Sequence, residues 1–462
     1  MYGRSLLTSG RACGMVAALC WFTSGCSSAN QDKSAAAKQD SPVAKSTVRA
    51  AACDEGNGGI TLPAGFCATV FADNIGHARH LTVAANGDVY VNTSSNKSNK
   101  MTNVPGGFVV VLRDADQDGH AETMQRFGPA YQPGLPGGGT GIFVRGDSLW
   151  VEEPGRIMRY KLSPELLVPN GAPDVILSGL PVDGDHTMHP FAISPAGRLY
   201  VNSGSASNSC QEKNRTAGSP GREPCPELAT RAGIWRFDAA TRDQIFALSG
   251  PFATGLRNTM ALAVSTLDSS LYAAVHGRDQ LSENWPKLYS DARNDELPAE
   301  VFVQVNEGED FGWPKCYFDT NQKKYVLAPE YDGDGGKATG PCVGRKMPLL
   351  TFPAHWAPDG LTFYTGTTFP ARYRDGVFVA FHGSWNRKPL QSGFLVAFVP
   401  FTSGVPAGSF DEFATGFAGK ELPADPAKAE HRPVGVAVGP DGALYVSDDV
   451  GGRIWRIVYK GS

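Results

Sequence analysis

The chain has 462 residues, and its 42 basic side chains nearly balance its 46 acidic ones. With 19% of residues charged and a formal net charge of -4, it has neither the basic footprint of a nucleic-acid binder nor an acidic tail, which leaves small or neutral partners. Its 54 glycines and 33 prolines interrupt helices and supply turns, so the expected class is all-β with many short strands.

At the N-terminus, Arg4 and Arg11 precede the apolar run Gly14 to Phe22, which is too short to span a bilayer and suits the core of a secretion signal. The run ends in Thr23-Ser24-Gly25-Cys26, which resembles a bacterial lipoprotein signal with Thr23 where leucine is usual. Residues 1–26 are therefore expected to be a signal peptide ending at a lipidated Cys26. An ordinary cleaved signal, with Cys26 incidental, is the alternative. Either way the protein is expected to be exported, periplasmic or held at the outer membrane by lipid. Residues 27–55 read as a disordered tether, because the stretch 27–52 offers two valines as its only large apolar side chains. Residues 56–462 then form one folded domain.

Beyond Cys13, Cys20 and Cys26, six cysteines remain. They allow many connectivities, but their clustering favours Cys53 with Cys67, Cys210 with Cys225, and Cys316 with Cys342. No CxxC pair or His/Cys cluster points to metal, and an exported context favours disulfides.

A phrase made of a polar tight turn and an aliphatic-aromatic-aliphatic strand recurs six times, at 85–91, 145–151, 195–201, 268–273, 374–379 and 440–446. Several copies precede a second phrase in which a glycine opens an alternating strand, at 107–112, 155–160, 233–237, 393–398 and 452–457. Paired strands repeated at the interval of one four-stranded blade predict a six-bladed β-propeller. A β-sandwich would not repeat a whole two-strand phrase six times. The longest interval, between the fourth and fifth copies, holds Asp279 to Thr351, so one blade is expected to carry large insertions.

Several loops hold polar residues that a turn does not need. Asp183-Gly184-Asp185-His186 runs toward the third copy and offers an imidazole able to take a proton near neutral pH. Gly255-Leu256-Arg257-Asn258 precedes the fourth copy, and His276-Gly277-Arg278-Asp279 follows it. His382-Gly383-Ser384-Trp385-Asn386-Arg387 follows the fifth, and Glu430-His431-Arg432 precedes the sixth. On a propeller these segments converge on one face, and their arginines suit a planar polyanion, since guanidinium forks pair with carboxylates. A salt-bridged rim is the plain alternative. Asp114-Asp116-Asp118-Gly119 begins like an oxygen-rich calcium loop, but Gln125 stands where an EF-hand has glutamate, so a solvated hairpin turn is expected.

The strings GLRN (255–258), FVAFHGSWNR (378–387), GWP (312–314), YVNSGSASNSC (200–210) and HRPVGVAVGPDGALYVSDD (431–449) resemble the glucose/sorbosone dehydrogenases that use pyrroloquinoline quinone (PQQ). The resemblance extends from about Leu62 to Tyr459. It implies a six-bladed propeller, a tricarboxylate quinone cofactor and bound Ca2+. It also implies that His186 takes the substrate hydroxyl proton while hydride moves to the quinone, with Asp185 orienting the imidazole. Arg257, Asn258, His382, Trp385, Asn386, Arg387 and Arg432 match cofactor-holding positions. His382 stands where the glucose enzymes have lysine, and Glu430 where they have a second late arginine, so glucose is not implied as the substrate. The carbonyls of Gly277 and Arg278 match calcium ligands, and Asp295 and Glu296 resemble an acidic pair supporting a second calcium.

The expected activity is oxidation of a sugar, sugar aldehyde or polyol. With no CxxCH for an attached haem, electrons would pass to an external acceptor. A propeller that binds but has lost quinone chemistry is the main alternative, supported by Glu430 and His382. A lactonase-type hydrolase would need carboxylates on a central metal, whereas these loops read as mainly cationic.

Overall fold

In the computed structural model, which describes residues 52–95, 106–132 and 137–461, each of the six repeated phrases supplies the second strand of a four-stranded antiparallel blade. Blade 1 comprises Ala78–Val83, Val89–Ser95, Val109–Arg113 and Thr123–Phe127, and blade 2 comprises Ile142–Arg145, Ser148–Glu153, Arg156–Lys161 and Asp174–Ser178. Blade 3 runs Phe191–Ile193, Arg198–Ser203, Gly233–Asp238 and Pro251–Thr254, and blade 4 runs Ala261–Val264, Leu271–Val275, Glu300–Val305 and Leu350–Phe352. Blade 5 is Pro358–Phe363, Gly376–His382, Phe394–Thr402 and Asp411–Ala414. Blade 6 takes Pro433–Val438, Leu444–Asp448 and Ile454–Tyr459 from the C-terminal end and its outer strand, Phe66–Ala72, from the N-terminal end. Phe66 lies opposite Tyr459 in that seam, so the ring is closed by backbone hydrogen bonds between the two ends of the domain.

The first strand of every blade packs against its counterparts in the two neighbouring blades, which closes the ring. A central cavity of about 220 Å³ lies between these inner strands, lined by residues of each, including Leu81, Ile142, Ala192, Leu262, Leu361 and Val436.

The repeated phrase is apolar throughout because a blade is buried on both faces. Val89 and Val91 pack toward blade 6, and the intervening Tyr90 packs toward blade 2. Leu199 and Val201 face blade 2, whereas Tyr272 and Ala274 face blade 5. Six apolar layers, one between each adjacent pair of blades, form the core.

The second phrase marks the third strand in five blades. In blade 4 that strand, Glu300–Val305, has no opening glycine and escaped the sequence pattern. The long insertion falls in this blade, as expected. It splits around Glu300–Val305 into a segment with two short helices, Leu281–Asn284 and Asp291–Glu296, and one with the hairpin Cys316–Asp319/Lys324–Leu327.

The three disulfides join the pairs that clustering suggested, Cys53–Cys67, Cys210–Cys225 and Cys316–Cys342. Cys26, the signal segment and the tether up to residue 51 lie outside the described residues. The last tether positions belong to the domain instead. Besides the Cys53 bridge, the Asp54 carboxylate accepts from the Val70 N–H at 2.6 Å, and the Asp54 N–H donates to Ala68 O at 2.9 Å. Among the described residues no helix is long and apolar enough to cross a membrane.

Candidate active site at the mouth of the propeller

In every blade the first strand begins, and the second ends, at the same end of the ring. Loops before first strands and after second strands therefore open on one face, and the polar strings singled out in the sequence fall in these two positions.

Arg79 begins the inner strand of blade 1. Its buried guanidinium donates to Asp449 Oδ2 of blade 6 at 2.7 Å and to Asp359 Oδ2 of blade 5 at 3.2 Å. Asp449 also meets His382 Nε2 at 2.9 Å and His77 Nε2 at 3.3 Å, while Asp359 meets His276 Nε2 at 3.2 Å. Burial alone would raise both carboxyls, but the surrounding imidazoles and Arg79 outweigh it and hold both well below the usual carboxylate range. Burial pushes His77 and His80 down to about 4, so both are neutral at pH 7. For His276 burial also pulls down, but the Asp359 carboxylate outweighs it and the imidazole ends above its ordinary value.

A second cluster forms around Asn208, which is fully buried after the second strand of blade 3. Its backbone oxygen accepts from Arg257 Nε at 3.0 Å, and its Oδ1 accepts from Arg257 Nη2 at 3.0 Å and from the Asp279 N–H at 2.9 Å. Its Nδ2 donates to Asp279 O at 3.0 Å. Arg257 Nη2 also donates to Asp279 Oδ2 at 2.8 Å, and Asn386 Nδ2 to Asp279 Oδ1 at 3.2 Å. Burial would raise the Asp279 carboxyl, but Arg257 and Arg215 hold it well below its ordinary range.

His186 lies next to this cluster. Its Nδ1 is 2.7 Å from Ser205 O and 3.1 Å from Ser205 Oγ, and Oγ itself donates to Ser207 O at 2.6 Å. A carbonyl only accepts, so Nδ1 carries the proton. Burial, aided by the positive charge of Arg257, pushes the His186 imidazole well below its ordinary value, so it is neutral at pH 7. Nε2 then holds a lone pair, and no protein group among the described residues bonds to it. The loop carrying His186 is pinned by the buried Glu152, whose carboxylate accepts from the His189, Thr140 and Gly141 N–H groups at 2.6, 2.8 and 2.7 Å.

The expected Asp185–His186 pairing is not formed. Asp185 turns away to accept from Arg215 Nε at 2.9 Å and Asn214 Nδ2 at 3.1 Å, and Ser205 orients the imidazole instead. Asn258 joins Asn202 beneath the site, its Oδ1 accepting at 3.3 Å. Arg432 reaches across to the oxygens of His382 and Gly383 at 2.9 and 2.8 Å and, among the described residues, has no carboxylate partner. Arg387 is spent on the carbonyls of Asp295 and Ala354, and Trp385 stands at the rim. Glu430 is exposed.

Of the expected calcium ligands, Gly277 O already accepts from Arg257 Nη1 at 2.8 Å, and the Arg278 side chain is buried against Glu330. Asp295 and Glu296 have separate partners: Asp295 accepts from the Lys388 N–H at 3.1 Å, and Glu296 from Asn321 Nδ2 at 3.0 Å. The site is also less cationic than its loops read, because Asp279, Asp359, Asp449 and Glu300 are buried within it. Arginines and histidines take the three aspartates, and Glu300 accepts from the Gly277 N–H at 2.7 Å.

The acidic loop at 114–122 is the turn between the outer strands of blade 1. The carboxylates of Asp114, Asp116, Asp118 and Glu122 approach within 4.8 Å of one another, and each accepts from a backbone N–H within the turn.

Sequence reading passed over Arg79, His77, Asn208, Asp359 and Asp449. The signal was positional: His77-Ala78-Arg79 opens the inner strand of blade 1 much as His431-Arg432 leads into that of blade 6.

The donor set suits a planar polyanion bound with a hard cation. Arg432 offers charge toward an anion, His276 offers an imidazole raised above its ordinary value by Asp359, and Arg79 and Arg257 are held by their aspartates. Gly277 O, the Asp279 carboxylate and Asn386 Oδ1 are oxygen donors of the kind calcium takes. Asn386 Oδ1 is buried with no hydrogen-bond partner among the described residues, so a ligand donor or cation would satisfy it.

Comparison with known proteins decides the family. The TrAA12-like family model matches residues 60–460. The chain belongs to the TrAA12-like family. An uncharacterized protein of Borreliella burgdorferi is 32% identical over 211 residues, covering 45% of this chain and 48% of the relative. A pyrroloquinoline quinone-dependent pyranose dehydrogenase of Coprinopsis cinerea is 25% identical over 277 residues, covering 52% of this TrAA12-like chain and 36% of the relative. The chain thus spans about half or less of the curated relatives it matches.

Among solved structures, the holo PQQ domain of Coprinopsis cinerea pyranose dehydrogenase superposes with TM-score 0.65 at 18% identity, over 86% of this chain and 97% of that one. The calcium structure of Trichoderma reesei AA12 gives TM-score 0.66 at 16% identity, over 87% and 97%. The PQQ-bound aldose sugar dehydrogenase of Streptomyces coelicolor gives 0.52 at 17%, over 86% and 99%. At these identities the likeness is one of fold, and the TrAA12-like chain shares the six-bladed ring with all three.

Proposed function

We propose that the protein is an exported PQQ- and calcium-dependent dehydrogenase that oxidises a sugar, sugar aldehyde or polyol and passes the electrons to an external acceptor. The observation that carries this reading is the state of His186. A neutral imidazole with its Nδ1 proton given to Ser205 O presents the Nε2 lone pair as a general base.

In this reading His186 Nε2 removes the proton from a substrate hydroxyl, and Ser205 O stabilises the resulting imidazolium through Nδ1–H. The cofactor, when bound, supplies a quinone that accepts two electrons. Arg257, Asn258, His382 and Arg432 hold it, and Asn386 Oδ1, Gly277 O and Asp279 supply oxygens toward calcium. Asp359 holds His276 at 3.2 Å and raises its imidazole above the ordinary value, while Arg79 ties blade 1 to blades 5 and 6. The three disulfides support an oxidising compartment, and the PQQ-dependent relatives support the cofactor.

The test is titration of metal-stripped protein with PQQ and calcium, followed by dye reduction over aldoses, sorbosone-like aldehydes and polyols. Stoichiometric calcium-dependent binding with turnover is expected. Absence of PQQ binding would remove the proposal, and binding without turnover across the panel would favour a non-catalytic propeller.

A further inference from the structure

Arg215, in the blade 3 loop that follows Ser203, draws together parts of the mouth that the cofactor reading leaves unexplained. Its Nε donates to Asp185 Oδ2 at 2.9 Å, Nη1 to Gln280 Oε1 at 2.8 Å and Nη2 to Asp279 Oδ2 at 3.2 Å. The guanidinium carbon lies 5.6 Å from the centre of the Trp385 ring. One side chain therefore touches the residue beside His186, the loop after the second strand of blade 4 and the loop after the second strand of blade 5.

This arrangement is held against local preference. Arg215 and Gln280, which bond to each other, both have left-handed backbones, with φ of 53° and 62°. Such conformations in non-glycine residues persist where the surroundings enforce them, and they gather at functional sites. Cys210–Cys225 closes the loop that carries Arg215.

Trp385 is the one exposed aromatic side chain among the described residues, with 46% of its surface open. Its neighbours in the sequence string, Ser384 and Asn386, are buried. An indole fixed at the rim by a guanidinium is poorly suited to holding a cofactor buried below. It is well suited to the apolar C–H face of a sugar ring, which stacks on aromatic surface while its hydroxyls seek donors. The Arg215 contacts leave part of its donor capacity uncommitted.

We propose that Trp385 and Arg215 form the substrate-gripping wall of the site, with Trp385 as the platform for a pyranose ring and Arg215 as donor to its hydroxyls. The proposal rests on the reading of His186 as the base of a sugar dehydrogenase, and it moves Trp385 from cofactor to substrate.

The experiment is calorimetric titration of monosaccharides and disaccharides into full-length protein equilibrated with PQQ and calcium, without electron acceptor, for wild type, Trp385→Ala, Trp385→Phe and Arg215→Met. Steady-state dye reduction and PQQ affinity by absorbance accompany it. Trp385→Ala is expected to weaken sugar binding and raise KM by about tenfold or more with kcat changed by less than about threefold, and Trp385→Phe to restore most of the loss. PQQ affinity should change by less than about twofold in both. Unchanged sugar affinity in Trp385→Ala, loss of PQQ affinity instead, or no sugar binding to wild type would each overturn the proposal. If Trp385→Ala does not fold, Arg215→Met carries the same reading. Trp385-dependent sugar binding without oxidation of any bound sugar would leave the wall standing and remove the dehydrogenase reading.

Discussion

Asn208 grips Arg257 twice, its backbone oxygen accepting from Nε and its Oδ1 from Nη2, both at 3.0 Å. Because Asn208 also bonds both the N–H and the C=O of Asp279, a single amide sets the position of the ion pair. Both charges are largely buried, so water makes good little of a lost partner.

Asn208→Ala is therefore expected to destabilise the fold by about 2–4 kcal/mol, because it removes the acceptor shared by Arg257 Nη2 and the buried Asp279 N–H. Urea denaturation checks this. The backbone bond to Nε survives the substitution, so the variant should still fold.

His186→Gln should lower turnover by roughly 10²- to 10⁴-fold, since glutamine cannot take the proton. PQQ binding measured by absorbance should be unaffected. Because burial and Arg257 keep the imidazole below its ordinary value, the acid limb of wild-type kcat/KM should fall below pH 6.5. A limb above pH 7 would exclude His186 as the group responsible.

Stability should decline as pH drops from 6.5 toward 4. In that window the unfolded chain protonates His77 and His80, whereas the folded protein resists until about 4, so acid favours the unfolded state. His276 works in the opposite sense: its raised value adds stability below pH 6.5 that is lost as pH rises through its folded pKa. Three depressed imidazoles, His77, His80 and His186, against one raised imidazole predict a net loss of stability. Comparing the urea midpoints of wild type and His80→Gln tests this, and the variant should show the flatter dependence on pH.

Glu152→Gln should release the His186 loop. The carboxylate serves three backbone N–H groups, whereas an amide would turn a donor toward one of them. We expect kcat to fall by about tenfold or more with PQQ affinity nearly unchanged, measured by dye reduction and absorbance titration.

The ring was legible because burial on both faces forces the same aliphatic-aromatic-aliphatic phrase into every second strand, and Tyr90, Tyr200 and Tyr272 each sit at its middle position. Glu300–Val305 was missed because a strand entering from an insertion needs no glycine turn. At the mouth, residue types were readable but pairings were not. Asp185 adjoins His186 in sequence, yet Arg215, thirty positions on, claims it, and Asp449 meets Arg79 across the ring seam. Such long-range partners are fixed by closure of the ring, which no local pattern encodes.

That seam has one more implication. With Phe66 and Tyr459 side by side on neighbouring strands, the order in which the chain visits the blades is separable from the shape it builds. Joining these ends through a short linker and reopening the chain in a loop on the face opposite the mouth, such as the Asn86-Gly87 turn, would give a circular permutant with the same six sheets. The closing strand of blade 6 would then be continuous with its neighbour, and the weakest joint of the ring would move to the blade where the chain was cut.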